Sequence, residues 1–218
     1  MESLADPQAV AGMARFGIRA RKVYGLSAPV LRKLAREVGK DHMLAQRLWA
    51  TGIHDARELA ALVDDPLQVS EEQMERWARG FDNWAVCDGA CIHLFRSSPL
   101  ARRKCVEWSS RREEFVKRAA FALMAGLAVG DKSAPDEVFL RFLPIIERES
   151  RDARNFVKKA VNWALRQIGK RNRRLNRAAI RAAREIHRLD CPSARWIASD
   201  ALRELQSRAV QKRLKRKG

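Results

Sequence analysis

Residues Phe156 to Lys170 read FVKKAVNWALRQIGK. Val157, Val161, Ala164 and Ile168 recur at helical spacing, so the segment predicts an amphipathic helix that buries this stripe. At about 100° per residue, Trp163 lies roughly 120° from the stripe, on a side shared with Lys159, Arg166 and Lys170. A large aromatic among cations has two readings. It packs against a neighbouring helix or under lysine stems, or it is a stacking platform on a basic face that holds a polyanion.

Outward from this segment the same helical patterning recurs, and strand-like alternation is absent. Ser27 and Pro29 open a helix to Val38, Asp41 caps one to Ala50, and another covers Ile53 to Val63. Ser70-Glu-Glu-Gln73 has the capping-box pattern ahead of Met74 and Trp77. Asp82 or Asn83 starts the helix carrying WAVCDGACIHLF, and Ser98-Pro99 starts one more. Arg111 or Arg112 leads into EEFVKRAAFALMAGLAV, and Pro135 into DEVFLRFLPIIERE. After a loop at Gly169–Asn172 come a very basic helix to Leu189 and one entered at Pro192. About eleven or twelve short helices with brief loops are expected to pack as antiparallel pairs. Stacked pairs form an α-solenoid whose repeats, with no strict period visible, are degenerate as in HEAT-type arrays. The expectation is an all-α chain: one repeat domain over 1–205, curved with a basic concave face, and a basic tail over 206–218 that frays. A compact irregular helical domain is the alternative.

Charge narrows the partners. The chain has 44 Lys+Arg against 26 Asp+Glu, a net of +18 over 218 residues. Residues 1–110 hold 16 basic and 14 acidic side chains, and residues 111–218 hold 28 and 12. From Arg151 to Arg184 the only acid is Asp152. A solvated face ordinarily mixes signs, so nucleic acid leads as partner, ahead of an acidic membrane surface and an acidic protein. No run approaches the ~18–20 apolar residues of a membrane span, and MESLADPQAV lacks the pattern of a secretory signal. Four cysteines without a disulfide pattern fit a reducing cytoplasm. Cys87-x3-Cys91-x-His93 has no second ligand pair, so no metal or other cofactor is expected.

Three further residues carry chemistry. Trp84 and Asp88 are i and i+4 and share a helix face with Cys91 and Phe95. An aspartate so flanked is either unusual or part of a structural ion pair, for which Arg118 is a candidate. Arg118 follows Lys117 on a helix whose core-like face is Val116, Ala119, Leu123 and Leu127. It therefore points outward or into a groove, where a phosphate contact is reasonable. Trp49, Trp77, Trp108 and Trp196 lie in apolar patterns and are assigned to packing.

The stretches FDNWAVCDGACIHLF, EFVKRAAFALMAGLAV and NFVKKAVNWALRQIGKRN resemble the AlkD-type DNA alkylation repair glycosylases, built of HEAT-like repeats; so does YGLSAPVLRKLAREVGKDHMLAQRLWATGIHDARELAALV. The likeness runs from about Phe16 to Leu205. The family's Trp-x3-Asp pattern falls on Trp84 and Asp88, its (K/Q)RAA-like arginine on Arg118, and its KAxxWxLR motif on Trp163 and Arg166. Where the family often reads Trp-Asp-x-x-Asp, this chain has Ala85. That absent acid is expected to sit behind the site, turned about 100° from Trp84.

What the resemblance implies is a DNA N-glycosylase acting in base excision repair on duplex DNA with cationic N3- or N7-alkylated purines. It would stabilise an oxocarbenium-like sugar without a base-flipping pocket. Asp88, Trp84 and Trp163 would be the catalytic residues. Arg118, Lys117, Lys159, Arg166, Lys170 and Arg171 would bind DNA. A cytoplasmic monomer is expected. The alternative is a non-catalytic HEAT-like module that binds DNA or RNA through the same face.

Overall fold

Helix starts follow capping chemistry. The side chains of Asp6, Asp41, Ser70, Asn83, Asn172 and Ser207 each accept a first-turn N–H, satisfying donors that a helix N-terminus leaves unpaired. The computed structural model describes residues 1–18, 20 and 22–216. Among these are thirteen α-helices and no strand: α1 (Pro7–Arg15), α2 (Ala28–Val38), α3 (His42–Ala50), α4 (His54–Val63), α5 (Glu71–Arg79), α6 (Trp84–His93), α7 (Ala101–Ser109), α8 (Glu114–Gly130), α9 (Asp136–Glu149), α10 (Asn155–Gly169), α11 (Arg173–Arg188), α12 (Pro192–Leu205) and α13 (Arg208–Lys215). None is long and apolar enough to cross a membrane.

The chain forms two compact units, Met1–Ala101 and Arg102–Gly218, of which Lys217 and Gly218 at the end of the expected tail lie outside the described residues. In the first unit α4 packs against α2, α3 and α6. The core between α3 and α5 is aromatic: Trp49 and Trp77 stack at 4.0 Å and 3°, with Phe81 edge-on to Trp49 at 6.0 Å. The capping box of α5 is half made. Ser70 Oγ accepts from Gln73 N at 3.2 Å, but Gln73 Nε2 donates to the buried Asp64 at 2.6 Å instead of reaching back to the cap.

In the second unit α8 and α10 form the centre. α8 is buried along most of its length, consistent with its run of alanines and large apolar residues. α12 lies on α10, and α11 packs on α9, α10 and α12. Contacts between every second helix, α8–α10–α12 and α9–α11, define two rows of stacked helices, the packing expected of repeated helix pairs. α2–α4–α6 form such a row in the first unit.

Two elements depart from expectation. Residues 7–15 form α1, for which Asp6 as cap and Pro7 at the first turn supply a clear local signal. The tail, expected to fray, is helical from Arg208 to Lys215, because Val210 and Leu214 are buried against the unit.

Candidate nucleic-acid interface

Asn83 places the first pair of candidate residues. Its side-chain oxygen caps α6 through Ala85 N at 3.0 Å and Val86 N at 3.1 Å, which fixes Trp84 in the first turn and Asp88 one turn on. Trp84 and Asp88 are both half-buried and line one open cleft of about 590 Å³ within the first unit. The stripe then runs inward, since Cys91 and Phe95 are fully buried. Ala85 also lines the cleft, so the acid expected there to sit behind the site would face into it.

One wall of the cleft was not foreseen from sequence. Leu4, Asp6, Ala9 and Met13, in and just before α1, contribute to its lining, and Trp84 Nε1 donates to Phe16 O at 2.8 Å. α1 is held there by Asp6 N donating to Tyr24 O at 2.7 Å. At Gly25 φ is +79°, and a Cβ would sit 2.5 Å from Asp6 O. The loop around Gly25 is in turn fixed by buried Asp55, which accepts from Tyr24 N and Leu26 N, both at 2.6 Å.

A further carboxyl also lines the cleft. Glu58, with its side chain 25% exposed, has Oε1 3.7 Å from Nε2 of buried His54. Desolvation, reinforced by the charge of Asp55, pushes Glu58 up to about 7. Burial also lowers His54 below its ordinary value. The His54 Nδ1 lies 3.3 Å from the Asn83 amide nitrogen, which donates to it when the ring is neutral. The remaining ring N–H then faces Glu58. Nothing in spacing alone singled out Glu58, which occupies an ordinary position on a helix.

In the second unit Trp163 is half-buried on α10, and the Gln167 amide oxygen, turned toward its donors, accepts from Trp163 Nε1 at 3.2 Å. The cations read from sequence as phosphate contacts are mostly engaged inside the unit. Lys117 pairs with Glu149 at 2.5 Å and Asp152 at 3.4 Å. Arg118, placed by the sequence reading outward or in a groove, is only 7% exposed, and its Nη1 donates to Phe156 O at 2.7 Å. Arg166 and Lys170 both bind Glu204 of α12 at 2.5 Å. Arg171 donates to the carbonyls of Ala128, Lys132 and Ala134 and lies 4.4 Å over Phe139. Lys159 alone of the six is exposed. Burial holds for Trp49, Trp77 and Trp108 as expected for packing, but Trp196 is 41% exposed, with Lys158 Nζ 4.8 Å over its ring.

A family model described as DNA alkylation repair enzyme matches residues 1–205. No curated protein sequence matches the chain. Among solved structures the chain is similar to one described as "a new family of proteins related to the HEAT-like repeat DNA glycosylases with affinity for branched DNA structures", with a TM-score of 0.78 and 19% identity over 98% of this chain and 92% of that one. At that identity the likeness is one of fold, an all-helical array of HEAT-like repeats.

Proposed function

This chain belongs to the DNA alkylation repair enzyme family, and we propose that it is a DNA N-glycosylase excising cationic N3- and N7-alkylated purines from duplex DNA. The observation that carries this reading is the pairing of Trp84 with Asp88 one turn apart on α6, both lining the same open cleft. Alkylation at N3 or N7 already gives the purine a positive charge, so the base leaves without being protonated. Charge instead develops on the deoxyribose, and a carboxylate at Asp88 stabilises that oxocarbenium-like sugar and orients water toward C1′. The π face of Trp84 adds cation–π attraction of about 0.5–2 kcal/mol, and Trp163 is proposed to press on the DNA from α10. Recognition in this reading is through the sugar and backbone, with no flipped base enclosed. Of the cations, Lys159 makes the direct phosphate contact, while Lys117, Arg118, Arg166, Lys170 and Arg171 hold α8, α10 and their neighbours in place for it.

The test is release of free base from duplex DNA containing 7-methylguanine, with wild type and Asp88→Asn compared at equal duplex occupancy. Release by wild type, reduced at least a hundredfold in the variant with binding retained, is expected. A second reading, a non-catalytic DNA-binding module, is favoured by Ala85, which leaves the cleft without the family's other motif acid, and by the branched-DNA affinity in the description of the similar structure. No release by wild type, alongside tight DNA binding, would establish that reading instead.

A further inference from the structure

Among the described residues, a row of unpaired cations lies on α11, not on the helix of Trp163. Arg173, Arg177, Arg181, Arg184 and Arg188 of α11 are all exposed. At about 100° per residue they fall within roughly 80° of one another, a ridge ~22 Å long with ~5–6 Å between successive members. Among the described residues, Arg173, Arg177, Arg181 and Arg184 have no carboxylate within ion-pairing distance; Arg188 pairs with Glu185 at 2.7 Å. Their neighbour Arg174, just off the ridge, is already bound to Glu137 at 2.7 Å. Close packing of so many like charges is unfavourable without a counter-charge.

The opposite side of α11, Leu175, Ala178, Ala179, Ala183 and Ile186, is buried against α9, α10 and α12. The ridge therefore points away from α10 and Trp163, and lies on the α9–α11 row while Trp163 lies on the α8–α10–α12 row. We propose that this arginine ridge is a second binding face, on the side of α11 turned away from α10 and Trp163, which takes the phosphate backbone of a nucleic-acid duplex, so that one chain holds two duplex segments at once. Guanidinium groups suit phosphate because they bond it bidentately. A straight row of them matches a linear polyanion carrying one charge per ~3.4 Å of each strand. An acidic bilayer fits less well, because a membrane-surface helix needs an apolar face to bury in lipid, and α11 has spent its apolar face on the core.

The proposal does not depend on catalysis, and its test uses none. Full-length protein is bound to an immobilised unmodified 30-base-pair duplex, and retention of a second, fluorescent duplex is measured across salt, with sedimentation confirming a single chain per complex. Wild type retains the second duplex with a log–log salt slope of about −3 to −4, the value for four phosphate contacts at ~0.9 each. The variant R173Q/R177Q/R181Q/R184Q loses retention at least tenfold, while still binding the immobilised duplex. Glutamine is a good helix former, and an unchanged thermal melt shows that the fold is intact. A charge-matched variant on α2 and α3, R32Q/K33Q/R36Q/R47Q, keeps retention. Equal retention by the ridge variant, equal loss in the charge-matched one, or no second duplex held by wild type would each overturn the proposal. So would ridge-dependent capture of phosphatidylserine vesicles without capture of duplex.

Discussion

Glu58 shows how one side chain sets a pH dependence. A carboxyl with an ordinary value of 4.5, raised to about 7 by burial and by Asp55, binds more protons in the folded chain than in the unfolded one between those limits. Its contribution to stability is fully present below about 4.5 and is lost as pH rises through about 7. His54 lies 3.7 Å from it, and Asp88 and His93 line the same cleft. Chemical denaturation at pH 5, 6, 7 and 8 should find Glu58→Gln gaining on wild type as pH rises, by on the order of 2 kcal/mol at the top of the range. A difference that stays constant with pH would remove Glu58 as the group responsible. Below neutrality a protonated Glu58 also cannot replace the negative charge that an acid at position 85 would have given the cleft. The cations teach a different lesson about what sequence conveys. Counting located the basic half of the chain, but it could not show that Lys170 and Arg166 meet Glu204, 34 and 38 residues away, or that Arg118 is buried. Tertiary pairing decides which charges remain for a ligand, and the spacing of α11 alone would have revealed the ridge.

Among the elements, those with a long apolar run or period, or with a polar cap or proline at the start, were legible: α2 through α6 and α8 through α12 begin and end within a few residues of the sequence expectation. α1 was not anticipated, because PQAVAGMAR is short, buries no residue fully and turns its half-buried side chains toward a cleft instead of the core. The Asp6–Pro7 signal was nonetheless present. α13 escaped notice for the related reason that Val210 and Leu214 are few among many charges. α1 matters because it forms a wall of the Trp84 cleft, and Gly25 is the contact that lets it sit there. Gly25→Ala puts a side chain in a left-handed conformation, φ +79°, with its Cβ 2.5 Å from Asp6 O. The expected cost is about 1–3 kcal/mol of stability, with hydrogen exchange accelerated in α1 and hardly changed in α10. Unaltered protection of α1 would mean that the loop yields without moving the helix.

For the whole chain, the division of labour follows charge. Trp84 and Asp88 lie in the unit Met1–Ala101, whose charges nearly balance, while the cationic excess lies in residues 111–218. The fold class was legible because solenoid packing is local, each helix meeting the next or the next but one. With Asp88 and Trp84 in one unit and most of the cationic excess in the other, grip and the charge stabilisation at the sugar are separable by salt. Phosphate contacts release counterions, so raising salt from 50 to 200 mM should weaken duplex binding at least about tenfold. Charge stabilisation at the sugar acts within a short, partly desolvated contact where mobile ions screen little. Single-turnover release of 7-methylguanine, measured with enough protein to keep the duplex bound at both salts, should therefore change less than about threefold. A release rate that falls in step with affinity would mean that the cations act on the reacting sugar itself, and that Asp88 and Trp84 do not carry the chemistry on their own.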